Sequence, residues 1–387
     1  MRAINERLLL EHIRVAGPIS RAELARTSGL SKPTVALTLA NLEAEGLVRI
    51  AGLRAGSRGP AAVLYELRPD AGYVLGLDVG REYLRGALAD IRGTVLARLS
   101  RPAHAVNATD RVGELVALAG ELVSSAGVTR NKVSQVVIGS PGVYDPSRGA
   151  LVLAANVPGW ESPKVLAALR RSLGPNTLIE NDVDLAALAE RDMGHGREVR
   201  TFCFVSVGSG TGMGLIIDGQ LHRGAHGAAG EIAYLPVADV DVAPAAARRH
   251  GLLEAAASAS AVVQAARRAG VKAARRAGAH RPVSAREVFE AAAKGDKAAT
   301  WVVEREAHVI ARAVSSVVAV VDPELVVLGG GIGQAPGFAD AVAGELARLV
   351  PFVPDLKVSA LGHDAVVDGS LVLGLERAWN AVLDRPS

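Results

Sequence analysis

The 387-residue chain has one cysteine, three methionines and aromatic side chains at only 3% of its positions. A single thiol, Cys203, forms neither an internal disulfide nor a thiolate metal cluster. It lies in the apolar run Thr201-Phe-Cys-Phe-Val, which points to a buried, inert thiol. With so few rings, the core must be built from Ala, Val and Leu, which suits closely packed helix and sheet layers. No uncharged apolar run reaches the roughly eighteen residues of a membrane helix. Glu6, Glu11, His12 and Arg14 interrupt the apolar stretch at 8–10, so a signal-peptide pattern is lacking and a cytoplasmic protein is expected. Charged residues make up 21% and hydrophobic residues 49%, a balance that excludes general disorder. The length suits two or three domains.

The net charge of +3 is unevenly spread. Residues 1–60 hold nine Arg or Lys against five Glu, leaving +4 there and −1 in the remainder. A small basic domain is what contact with a polyanion requires, although a solvated surface gives the same balance. Ile4, Leu8, Leu9, His12 and Ile13 set a first helix. Ser20 with Glu23 three residues on forms a capping box for a second, which Gly29 ends. Ser31 caps a third, with Lys32-Pro33 in its first turn, Val35, Leu39 and Leu42 inward, and Gly46 at its end. Apolar stretches at 47–50 and 63–67 read as two strands flanking a basic, glycine-rich loop at 54–60. That is a winged helix-turn-helix over residues 1–70. Its third helix is expected to expose Ser31, Lys32, Thr34, Thr38 and Asn41, with Arg54 and Arg58 in the wing touching backbone or minor groove. Such hydroxyls also serve as ordinary caps and surface groups, and winged helices also make protein contacts.

From Tyr73 the pattern becomes α/β. Strands are expected at 74–79, 83–90, 95–99 and 133–138, with a helix over 111–125, forming a first lobe at about 71–177. A second lobe at about 178–387 holds strands near 177–179, 201–207, 215–217 and 326–329, alanine-rich helices, and a final helix over about 370–381. Ligands commonly bind in the cleft between two such lobes. Asp182, beside Asn181, has the chemistry to accept a proton or a hydrogen bond from a hydroxyl, and Glu231 follows Gly230 in a polar turn. The glycine run 208–214 permits close backbone approach but lacks the Lys-Ser/Thr ending of a Walker loop. Glycine turns equally serve folding alone.

These segments together resemble the ROK family of repressors, open reading frames and sugar kinases. The matching stretches are Asp78-Val-Gly, Gly139-Ser-Pro-Gly-Val, Asn156-Val-Pro-Gly-Trp and Ile179-Glu-Asn-Asp-Val-Asp-Leu-Ala-Ala-Leu-Ala-Glu. They continue through Gly208-Ser-Gly-Thr-Gly-Met-Gly, Gly227-Ala-Ala-Gly-Glu-Ile, Gly251-Leu-Leu-Glu and Val327-Leu-Gly-Gly-Gly. With the N-terminal module, the resemblance is to the repressor branch. It implies a two-lobed, actin-like sugar-kinase fold of the ribonuclease H-like ATPase type. It also implies sugar binding by Asn181, Asp182, Glu231, Tyr234 and Glu254, with Asp182 as general base in a kinase member. Asp78, Gly80, Gly208, Gly210, Gly212, Gly329 and Gly330 match the nucleotide side as a remnant.

Two departures matter. Kinase members carry Asp-x-Gly-Gly-Thr, whereas this chain has Arg81 and Glu82 after Gly80. Arg81 removes a glycine's freedom and Glu82 adds an anion near the triphosphate, which argues against phosphoryl transfer. Zinc-containing members carry Cys-x-Cys-Gly-x-x-Gly-Cys-Leu-Glu and a histidine after the Gly-Glu pair. Here Ala245, Ala247 and Leu252 stand at the cysteine positions and Tyr234 at the histidine's, so no structural zinc or other cofactor is expected. His250 reads as a solvated histidine. The expected function is a carbohydrate-released repressor, binding a pseudo-palindromic duplex operator as a homodimer or dimer of dimers. A sugar kinase with a fused DNA-binding domain and a ligand-independent DNA-binding regulator are the alternatives.

Overall fold

The first helix, α1 (Arg2–Ala16), buries Leu9, Leu10 and Ile13 on one face. In α2 (Arg21–Ser28) the capping box is complete: the Ser20 hydroxyl accepts from the Glu23 N–H, and the Glu23 carboxylate accepts from the Ser20 N–H at 3.0 Å. Gly29 ends the helix in the left-handed conformation, φ 71°. The Ser31 hydroxyl caps α3 (Lys32–Ala44), whose Val35, Leu39 and Leu42 are buried. A three-stranded antiparallel sheet follows in the order β1 (Ile19–Ser20), β3 (Ala62–Leu67), β2 (Val48–Arg54). This computed structural model describes residues 2–55, 61–145, 148–154, 157–236, 251–271 and 283–383. Arg58, Ala245, Ala247 and His250 lie outside them.

The third helix departs from expectation in one respect. Thr38 is buried, at 5% exposure, while Leu37 is 67% exposed. At about 100° per residue, Thr38 lies within roughly 60° of both Val35 and Leu42, so helix geometry turns it inward whatever its polarity.

The first lobe holds the five-stranded sheet β10-β7-β4-β5-β6. Strands β4 (Tyr73–Val79), β5 (Tyr83–Asp90) and β6 (Val95–Pro102) form an antiparallel meander. β7 (Val133–Ser140) lies parallel to β4 after α4 (Ala108–Ser125). A ribbon of β8 (Val143–Asp145) and β9 (Ala150–Val152) leads to α5 (Pro163–Leu173), which carries the chain to β10 (Thr177–Asn181). β10 pairs in parallel with β7, from Thr177 beside Val136 to Asn181 beside Ser140. The expected lobe boundary at 177/178 is therefore misplaced: it cuts a strand of the first sheet, because α5 is a parallel crossover rather than a linker.

Helix α6 (Asp182–Met193) leads to the second sheet, β13-β12-β11-β14-β15. It comprises β11 (Phe202–Val207), β12 (Thr211–Ile217), β13 (Gln220–Leu221), β14 (Leu325–Gly329) and β15 (Asp355–Val358). Helices α7 (Leu252–Ala256), α8 (Ala259–Arg268), α9 (Ala285–Ala293) and α10 (Lys297–Val321) precede β14. A single turn, α11 (Gly330–Gly333), and α12 (Phe338–Leu346) follow it. The last helix, α13 (Ala365–Leu383), starts five residues earlier than expected and returns to the first lobe. Gly369 permits this packing, since a Cβ there would fall 1.8 Å from the Leu185 carbonyl oxygen of α6. Beyond it, Val367, Leu371 and Ala378 join the core that contains Val74 and Ala87. Trp379 packs against both that core and the helix-turn-helix core, which Val382 also reaches.

Candidate functional site

Strand register brings the acidic and glycine segments together. β4, β7 and β10 run parallel, with Asp78 opposite Gly139 and Asn181 opposite Ser140. Asp78 and Asn181 thus end two strands that flank β7, roughly 10 Å apart at the usual strand spacing. Crevices outside the carboxyl ends of parallel strands are the usual ligand sites of such sheets.

Asn181 is first of all a cap. Its side-chain oxygen accepts from the N–H groups of Val183 (3.0 Å) and Asp184 (3.2 Å), while Nδ2 donates to the Gly142 carbonyl at 3.1 Å. Those bonds fix the start of α6 and so aim Asp182, its first residue. Burial pushes the Asp182 carboxyl up to about 7, reinforced by the negative charges of Asp78 and Glu231 and opposed by the Val183 N–H. Asp78 is 5% exposed and pushed up to about 6, mainly by burial, with Arg85 acting in the opposite direction. Arg85 Nη1 donates to Asp78 Oδ2 at 3.2 Å. The two are direct partners across β4 and β5, a pairing the short turn after Val79 dictates.

The remaining carboxylates come from the second lobe. Gly230 takes φ 91°, and a Cβ there would meet the Met213 carbonyl oxygen at 2.0 Å. Only glycine fits that approach, which sets Glu231 at the start of a short 3-10 turn ending at Tyr234. Burial and the charge of Glu254 both raise the Glu231 pKa. Tyr234 is likewise raised, first by burial and then by Glu231, Glu254 and Glu161. Glu254, in the first turn of α7, accepts from the Thr211 N–H at 3.3 Å. Asp182, Glu231, Tyr234 and Glu254 therefore share one electrostatic environment. Such a set suits a neutral polyhydroxyl ligand, because carboxylates accept from hydroxyls while the phenol donates or accepts.

The glycine segments are split by role. Gly208 and Gly210 close the β11–β12 hairpin, with the Gly208 N–H donating to the Gly210 carbonyl. Gly212 lies inside β12, where its bare backbone lets Val183 of α6 pack against the strand. A Cβ on Gly329 would strike the Phe204 ring, and one on Gly330 the Val207 carbonyl oxygen. A Cβ on Gly208 would lie 3.4 Å from the Gly331 N–H nitrogen, so the two glycine turns face each other at the ends of β11 and β14. Gly80 serves the β4–β5 turn, where a Cβ would lie 2.5 Å from the Tyr83 carbonyl oxygen, while Arg81 and Glu82 are exposed.

Three groups at this site escaped sequence reasoning. Arg85 was discoverable by counting hairpin register from Val79. Asp184 is buried beside the Glu180–Arg223 ion pair, and burial with the neighbouring carboxylates raises its pKa well above the ordinary value. Glu161, which follows the Asn156-Val-Pro-Gly-Trp stretch, acts on Tyr234. Cys203 is buried and its thiol is pushed up to about 12 by burial, which keeps it protonated. Among the described residues no group of three His, Cys, Asp or Glu side chains is arranged to hold a metal ion, and no helix is long and apolar enough to cross a membrane.

In the N-terminal module the expected contact residues differ in exposure. Lys32 is exposed at the start of α3. Ser31 and Thr34 share a 2.8 Å hydroxyl contact. Arg54 Nη1 and Nη2 grip the two Glu23 carboxylate oxygens at 3.1 and 2.6 Å. Residues 2–49 match the winged helix-turn-helix DNA-binding family, and residues 74–376 match the ROK family. The chain belongs to the ROK family. Among ROK relatives, the Bacillus subtilis xylose repressor is 27% identical over 237 residues, 61% of each chain. The first relatives found are thus matched over only 59–61% of their own length. A Caldicellulosiruptor bescii xylose repressor is 25% identical over 96% of both chains, and a Thermotoga maritima glucokinase is 28% identical over 68% of this chain and 83% of its own. The fold matches that of a ROK family transcriptional regulator, a homologue of the E. coli MLC protein, with TM-score 0.77, 24% identity, and coverage of 99% and 98%. A Streptomyces griseus ROK family glucokinase bound to glucose and AMPPNP shares the fold, TM-score 0.66, at 22% identity over 79% of this chain. The two-lobed sugar-kinase-like fold behind a winged helix-turn-helix is thereby established.

Proposed function

We propose that this ROK protein is a sugar-responsive transcriptional regulator, released from a duplex operator by a neutral carbohydrate and inactive as a kinase. The observation that carries the reading is the path of α13, which packs on α6 behind Asp182 and reaches the helix-turn-helix core through Trp379 and Val382. A ligand that shifts α6 by binding Asp182 changes the packing available to α13, and through it the placement of α3. Such coupling needs only that the sugar bind the two arrangements unequally. The likeness to xylose repressors supports a sugar as effector. A homodimer, or a dimer of dimers, offers two such helices to successive major grooves of a pseudo-palindromic site.

The absence of phosphoryl transfer is argued from the phosphate side. Asp78 is already paired with Arg85, and Arg81-Glu82 replace the glycine and hydroxyl of the kinase turn. A carboxyl at about 7 on Asp182 suits both a general base and a hydrogen-bond acceptor, so its presence does not by itself select catalysis. Structural zinc is assigned no part, because the chain's sole cysteine is the buried Cys203. The test is a thermal-shift screen of purified protein against sugars, followed by operator binding with each hit. A hit that weakens operator binding supports the proposal; sugars that bind without altering it overturn the effector role.

A further inference from the structure

The polar side chains of α3 are largely committed within the protein. Ser31 accepts from the Thr34 N–H and pairs with its hydroxyl, Thr38 is buried, and Asn41 Nδ2 donates to Glu6 on α1. Outward the helix carries Lys32 at its start, Glu43 near its end and, between them, an aliphatic face. Leu37 is 67% exposed, and Pro33, Ala40 and Ala44 are exposed too. Positions 33, 37, 40 and 44 follow the four-three-four spacing of a single helix face. Lys32 stands exposed at the N-terminal end of this stripe.

An apolar stripe on a domain carrying +4 in residues 1–60 is matched to a polyanion that also displays apolar groups. In the major groove the apolar group on a base edge is the C5-methyl of thymine. Building on the DNA-binding role proposed above, we infer that Leu37, flanked by Pro33 and Ala40, reads thymine methyl groups. Site choice by α3 then rests on van der Waals contact with methyls rather than on a hydrogen-bond code. Lys32 supplies backbone attraction and carries no sequence preference of its own.

The test uses the intact protein and a site selected from genomic fragments, in which each thymine is replaced singly by uracil to delete only the methyl. One or two positions per half-site should lose roughly fourfold in affinity, the worth of one buried methyl group. Leu37→Ala should bind thymine and uracil versions within about twofold of each other, and it should fold, since the position is exposed and alanine favours helix. Lys32→Ala should weaken both versions equally and lower the salt dependence by about one ion. A selected site indifferent to every uracil replacement overturns the inference while leaving DNA binding intact. A uracil effect that persists in Leu37→Ala also overturns it. A change in oligomeric state in that variant, with the uracil response unaltered, would assign the stripe to a second copy of the chain instead. Failure to select any site overturns the DNA-binding reading itself.

Discussion

Glu306 sits in α10 at 1% exposure, and neither carboxylate oxygen has a hydrogen-bond partner among the described residues. Its helix neighbours Val302 and Ile310 are core residues. Burial pushes its carboxyl up to about 8, with Arg305 acting weakly in the opposite direction. The folded protein therefore keeps this proton up to about pH 8, whereas the unfolded chain releases it above its ordinary value near 4.5. Because the folded state binds more protons in that window, stability must fall as pH rises from about 4.5 to about 8. Across the whole window the loss is on the order of 5 kcal/mol. Leaving even the neutral acid unpaired costs about 1–3 kcal/mol more. Glu306→Met keeps chain length and fills the same space with an apolar, adaptable group. It should therefore stabilise the large domain by about 1–3 kcal/mol at pH 5 and by several kcal/mol more at pH 8. Urea denaturation at both pH values, followed by the large domain's own transition, measures this. Equal pH dependence in wild type and variant, or destabilisation by methionine at both pH values, would refute the burial argument.

Three further outcomes follow from the site. Trp379→Ala should cut the sugar-dependent change in operator affinity by about 1 kcal/mol, roughly fivefold, with sugar affinity nearly unchanged, as fluorescence anisotropy and calorimetry would measure. A variant with undiminished response would remove α13 from the coupling. Sugar affinity should rise with pH through about 7 as Asp182 ionises and becomes a pure acceptor, and this dependence should vanish in Asp182→Asn. Calorimetric titrations between pH 6 and 8 would expose a flat or inverted profile. Elemental analysis of tag-free protein should find well under one zinc per chain, and a tightly held stoichiometric zinc would contradict that proposal.

Local signals in the sequence specify much of the architecture. The Ser20–Glu23 box, the Ser31 cap and the left-handed Gly29 are each set by residues a few positions apart, and all form as their spacing demands. The candidate-site carboxylates Asp182, Glu231 and Glu254 are legible only through motif order, and the bonds of Asn181 show it spending its amide chiefly on the helix start. Thr38 turns inward because its angular position between Val35 and Leu42 outweighs its polarity. The strand expected near 177–179 extends to Asn181 and belongs to the first sheet, because parallel pairing across α5 is set by tertiary contact and not by local pattern. Glu306 stands four residues from both Val302 and Ile310, so helix periodicity puts it on the buried stripe although its charge reads as solvent-facing.

The central claim is that Asp182 serves recognition rather than turnover. Wild-type protein, a sugar from the thermal-shift screen, ATP with magnesium and labelled operator should be combined, with operator occupancy and sugar phosphate measured in the same samples. The sugar should weaken operator binding by roughly 5- to 150-fold with no phosphorylated sugar formed. Asp182→Ala should keep sugar-free operator binding and lose the response. Stoichiometric phosphorylation of that sugar by the wild type, abolished in Asp182→Ala, would contradict it and make the protein a kinase.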